Sequence, residues 1–188
     1  MPRSRLLAAA ALAMVFIVAI ALFANEPRYP MNGPLRPTLR NNIILPLSPG
    51  EIATFGMPLA VQQPPTIVLR EVEPLGVSGL EVIATGACYS DPSPRPNGDW
   101  VSCAGPNYGW RAWSGEIVPV DGTTIVPGPA GVGILVGVRR FENAPQSGFR
   151  DLRIVYDAAG RRFEVVQPWG FGLIDPGASP PETWPLYR

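Results

Sequence analysis

The sequence predicts an all-β chain: a Greek-key β-sandwich preceded by a single N-terminal transmembrane helix. Three observations carry this reading. The run from Leu6 to Ala24, LLAAAALAMVFIVAIALFA, is 19 residues long and free of charge. Beyond it, short apolar segments recur every 8–15 residues or so, with Gly and Pro between them, as strands of a sandwich do. No stretch after residue 24 keeps the 3.6-residue apolar period of a helix. A small barrel is the alternative architecture.

The apolar run comes first. At about 1.5 Å rise per residue it is long enough to cross the ~30 Å hydrocarbon core of a bilayer. Cleaved secretory signals have shorter apolar cores and a small-x-small cleavage site. Ala19-Ile20-Ala21 is one such site and Ala24 marks another. The segment is therefore read as an uncleaved signal-anchor, with secretion after cleavage as the alternative and a buried helix as the uneventful one. Arg3 and Arg5 on one side and Arg28, Arg36 and Arg40 on the other nearly balance under the positive-inside rule. The cysteine pair decides for an extracytoplasmic domain on a single-pass anchor in the cell membrane.

Residues 25–42 form a Pro-rich juxtamembrane linker, and residues 43–168 the domain. Strands are expected at 43–47, 52–55, 66–72, 80–87, 100–103, 110–120, 123–126 and 131–141. In the fourth, Leu80, Val82 and Ala84 share the core face. The segment 131–141 is apolar on both faces, as a central strand is. A hairpin closes the domain: 151–156, a turn through Asp157 to Gly160, and 161–166. Gly160 supplies the positive φ of the turn. Residues 169–188 read as a Gly/Pro-rich C-terminal tail without periodicity.

Composition excludes whole classes of function. The chain has no histidine and no lysine; its 15 basic residues are all arginine. That removes Ser-His-Asp and Cys-His sites, imidazole metal ligands, Schiff-base chemistry and the Walker phosphate loop. Without Arg3 and Arg5 the remainder carries a net charge of −2, so no basic face for nucleic acid is expected. No cofactor and no metal are expected, and the chain is read as not an enzyme.

Cys88 and Cys103 are the most specific chemical signal. Two cysteines beyond an export signal predict a disulfide, with buried free thiols as the alternative. Asp91, Asn97 and Asp99 between them offer oxygen ligands for calcium, although turn chemistry explains them better. Glu71 and Glu73 form a conceivable acid–base pair, but a solvated strand face explains them better. The candidate binding surface is aromatic. Trp100, Tyr108, Trp110 and Trp113 crowd a Gly-rich stretch, and Trp184 and Tyr187 mark the tail. Such side chains either fill a core or anchor a partner at low entropic cost.

The order of parts resembles the uncharacterised, membrane-anchored immunoglobulin-like β-sandwich proteins of GC-rich bacteria. The resemblance rests on the single N-terminal anchor, the Asn41-Asn42 pair, the strand 133–138, and the Tyr-x-x-x-Gly-x-x-Phe hairpin of Tyr156, Gly160 and Phe163. It covers residues 41–168. It implies an immunoglobulin-like fold and an extracytoplasmic location, and brings no catalytic motif. The function expected is a non-enzymatic extracytoplasmic binding or structural module, an accessory subunit with a protein partner in the envelope or membrane. The alternative is a secreted ligand-binding, glycan-type domain.

Overall fold

The computed structural model describes residues 29–61, 64–90, 103–128, 131–144 and 147–180. The apolar run of residues 6–24 lies outside them, and among the described residues no helix is long and apolar enough to cross a membrane. The described chain is all-β. Its strands are β1 (Asn41–Pro46), β2 (Ile52–Leu59), β3 (Ile67–Leu75), β4 (Leu80–Tyr89), β5 (Asn107–Tyr108), β6 (Thr124–Ile125), β7 (Val132–Arg140), β8 (Ser147–Phe149), β9 (Asp151–Ala158), β10 (Arg161–Gln167) and β11 (Trp169–Ile174).

Three sheets result, ordered β10-β9-β3-β6, β4-β7-β2-β5 and β1-β11-β8. Side chains from all three meet in one hydrophobic cluster, an arrangement consistent with a β-sandwich. Ile67, Leu69, Ile154 and Tyr156 come from the first sheet, and Phe55, Ile134, Val136 and Val138 from the second. Phe149 and Phe171 come from the third.

The closing hairpin forms as the residues dictate. Arg161 pairs with Ala158, leaving Ala159 and Gly160 as a two-residue turn with φ of 48° and 73°. Positive φ at both positions matches the right-handed twist of the flanking strands. β7 is the central strand expected of the apolar run. It pairs with β4 on one side and β2 on the other, and all but one of its residues are buried.

Three differences from the sequence reading have physical causes. First, Ala84 does not share the core face with Leu80 and Val82. A bulge between Val82 and Ala84 inserts Ile83 as an extra residue. Ala84 then pairs with Gly137, whose outer side lies against Trp110 and Ile83. Second, residues 110–120 do not form a strand; only Val118 pairs, in a two-way bridge to Ala87. Third, Trp169–Ile174 is a strand, parallel to β1 from Asn41↔Trp169 to Pro46↔Ile174. Trp169, Phe171 and Leu173 alternate with Gly170 and Gly172 and fill the core. The intervening glycines hide this two-residue period by reading as turn punctuation.

Residues 29–40 form no strand, yet they lie along the domain. The Glu164 N–H donates to the Pro30 carbonyl at 3.1 Å, and the Leu35 N–H to the Tyr156 hydroxyl at 3.2 Å. Leu35 is buried, and Gly33 lies against Tyr156 and Phe163 where a Cβ would not fit. Gln167 accepts from the Thr38 N–H and donates to the Arg36 carbonyl, at 2.9 and 3.0 Å. The Trp169 indole N–H donates to the Thr38 hydroxyl at 2.6 Å.

Candidate functional site

The Cys88–Cys103 disulfide is formed, with a Cα–Cα distance of 6.0 Å. It joins the end of β4 to a largely irregular layer, residues 103–118, that covers the outer face of the β4-β7-β2 sheet and adds to the sheet only through the short β5. The sheet accepts this layer because glycine paves it. A Cβ on Gly133 would stand 2.7 Å from the Cys88 sulfur and 2.9 Å from the Cys103 sulfur. On Gly137 it would stand 2.5 Å from Trp110 Cε3, and on Gly86 2.6 Å from Ile117 Cγ2. On Gly56 it would run into the backbone of Ala104 and Gly105.

The layer thus packs its own small core: Cys88, Cys103 and Leu135, with Ala104, Trp110, Ala112 and Ile117 around them. Thr54, fully buried on β2, fastens it from below. Its hydroxyl donates to the Gly109 carbonyl and accepts the Arg111 N–H, the latter at 3.0 Å. The Trp113 N–H donates to the Cys103 carbonyl at 2.9 Å.

The candidate aromatics divide between the two roles. Trp110 is half-buried and covers Gly137 and Gly86. Trp113 rests on Gly105 and is 63% exposed. Tyr108, on the edge strand β5, is 53% exposed. Tyr89, beside Cys88 at the end of β4, is also exposed; the sequence reading did not single it out. Trp100, Trp184 and Tyr187 lie outside the described residues, as do Asp91, Asn97 and Asp99. The glycines were the missed signal. Glycine recurring at alternate strand positions marks a face that another backbone approaches closely.

Gly137→Ala is therefore expected to destabilise the protein by about 1–3 kcal/mol, since the new methyl group displaces the Trp110 ring. Urea unfolding measures the loss, and a shift in tryptophan emission of the folded state reports the displaced ring. An unchanged midpoint and spectrum would show that the ring does not depend on the glycine.

The Glu71–Glu73 pair is committed to an arginine. Arg153 Nη1 lies 3.4 Å from Glu71 and 2.9 Å from Glu73, while its Nε and Nη2 both reach the buried Glu164 at 3.2 Å. A second cluster sits beside it. Asp157 accepts from Arg162 Nε at 2.8 Å and from Arg70 Nε at 2.7 Å. The Arg162 hydrogen bond is the largest influence and, with Arg70, outweighs slight burial to hold the Asp157 pKa at about 2.

A depressed folded-state pKa stabilises the protein above the unfolded value of 3.8, and the contribution is lost as pH falls through about 2. Stability is therefore expected to fall between about pH 4 and pH 2, with a shallower fall in Asp157→Asn. Urea midpoints across that window test it; identical slopes in both proteins would remove Asp157 from the cause.

Among the described residues no three Cys, Asp or Glu side chains gather to hold a metal ion. One cleft of about 490 Å³ opens between the 34–38 segment and the end of β2. Leu35, Arg36, Thr38, Leu59, Val61, Gln167 and Trp169 line it, so its wall is apolar with one cation and a hydrogen-bonded amide. That lining can hold a ligand in place and offers no carboxylate or thiol for chemistry on it. No protein-family model and no curated protein matches the chain.

Proposed function

We propose that the chain is a non-enzymatic binding or structural module, carried outside the cytoplasm on the single-pass anchor of residues 6–24, and that it serves as an accessory subunit with a protein partner in the envelope or membrane. The observation that carries this reading is the pair of exposed aromatics, Trp113 and Tyr108, on a layer clamped by one disulfide and a glycine-paved sheet. Large, rigid side chains on a preformed support lose little entropy on binding and make effective anchors. The finer fold reading, an immunoglobulin-like Greek key, belongs to the same proposal. It is supported by β2, β3 and β4 alternating between the two four-stranded sheets.

Trp113→Ala tests the reading, because the side chain is exposed and its loss leaves the fold intact. Full-length protein is cross-linked in its own membranes and the adduct compared with that of the variant. A partner held by this surface is weakened by more than ~1 kcal/mol, the scale of an interface hot spot. An adduct that forms equally in Trp113→Ala and Tyr108→Ala would sink the assignment of the surface. The cleft favours a second reading, a secreted domain for a small ligand such as a glycan, since its size falls within the range of ligand pockets. A mature chain beginning at Leu22 or Asn25 by intact mass would select it.

A further inference from the structure

We infer that the domain lies directly on the bilayer, seating Leu39 and Arg36 among the headgroups of an anionic phospholipid surface. This rests on the uncleaved anchor of the proposed function.

Length is the first argument. Residues 29–40 are held on the domain by Pro30, Leu35, Thr38 and their partners on β9, β10 and β11. Only the chain between Ala24 and Tyr29 is left to separate domain from membrane. Fully extended, it reaches at most about 18 Å, less than half the width of a domain of this size, about 40 Å. The proline-rich stretch is thus a strap and not a spacer, and the domain edge that carries it stays near the headgroups.

Placement is the second argument. Pro30 is bonded to Glu164 and Thr38 to Gln167, three residues further along β10, so Leu39 lies only about 10–15 Å from the point where the chain arrives. Leu39 is 91% exposed, the most exposed large hydrophobic side chain among the described residues. Arg36, three residues before it, is also exposed, and Arg40 follows, bonded to Asp151 yet still near half exposed. An apolar side chain flanked by guanidinium groups suits an interface where acyl chains meet phosphates. One leucine binds weakly, but the short tether holds it at an effective concentration of order mM, so a weak contact is populated.

The test uses the full-length chain in vesicles of phosphatidylcholine and phosphatidylglycerol. Leu39→Cys is labelled with an environment-sensitive fluorophore, the native cysteines being paired in the disulfide. Val126→Cys is the reference, since Val126 is exposed next to β6, at the edge of its sheet opposite β10. Spin-labelled lipid is expected to quench the Leu39 probe at least twofold more than the Val126 probe. Replacing phosphatidylglycerol by phosphatidylcholine should reduce that difference. An alkaline carbonate wash, run in parallel, reads the anchor. Protein that stays with the vesicles while both probes are quenched alike overturns the seating and leaves the anchor standing. Protein that washes off overturns the anchor, and the seating with it.

Discussion

Phe55→Ala is expected to cost about 3–5 kcal/mol, a large part of the 5–15 kcal/mol that holds a domain of this size. Phe55 is fully buried on β2 and stacks on Phe171 of β11 at 4.8 Å between ring centroids. It meets Phe149 of β8 edge-on at 5.4 Å. Phe149 and Phe171 are themselves 5.9 Å apart, so the three rings form one triangle. Two of its corners belong to the β1-β11-β8 sheet and one to the β4-β7-β2-β5 sheet. Removing Phe55 loses the transfer free energy of the ring and two aromatic contacts that join those sheets. The surrounding strands are fixed by their own ladders and cannot collapse into the space. Urea unfolding followed by circular dichroism gives the number. Phe55→Leu, which keeps most of the volume, should lose clearly less. A loss below ~1 kcal/mol for alanine would mean that the strands around the site move in and repack it.

The second large effect belongs to the disulfide. Removing it in the double variant Cys88→Ala, Cys103→Ala is expected to cost about 3 kcal/mol, the chain-entropy value for a closed loop of roughly 15 residues. The structure adds a local reason. The layer 103–118 has only a small core of its own, and its first residue is the bonded Cys103. Without the bond, Trp110, Ile117 and the two Thr54 hydrogen bonds must hold the layer on a sheet that offers mostly glycine hydrogens as its surface. The folded variant should therefore show faster amide exchange at Arg111, Trp113 and Val118, whose N–H groups bond to Thr54, Cys103 and Ala87, before any change in β9 or β10. Exchange that speeds uniformly across all strands would show that the bond supports the whole domain and not the layer.

Much of this architecture was legible in the residues. Strands with dense β-branched content and clean punctuation, β3, β4, β7, β9 and β10, were found close to their observed bounds. The turn at Gly160 and the pairing of Cys88 with Cys103 followed from local chemistry. What stayed hidden depends on glycine. In β11 it disguised the alternation of Trp169, Phe171 and Leu173, and on the outer sheet face it gave no sign of the layer that would cover it. The irregular course of residues 110–120 followed, because a segment rich in Trp, Ile and Val looks like a strand unless the glycines beneath it are recognised as its seat. The bulge at Ile83 was hidden for another reason. A one-residue insertion changes which face a side chain takes without changing composition. For the candidate surface, residue type identified the aromatics, but only packing separated Trp110, which covers the sheet, from Trp113 and Tyr108, which meet solvent.

The parallel pairing of β1 with β11 also orders events in time. Asn41 to Pro46 leave the ribosome early, but their partners, Trp169 to Ile174, come last among the strands described. The same wait applies to the contacts around them: Arg36 and Gln167 are 131 residues apart in sequence. Contacts of such range are slow to form, because the loop they close must be ordered before they return any energy. Until β11 arrives, β1 has no strand to pair with, and Phe55 lacks one of its two ring partners. A chain stalled before residue 169 therefore presents an unpaired edge and an incomplete core together, the two features that recruit chaperones and invite aggregation.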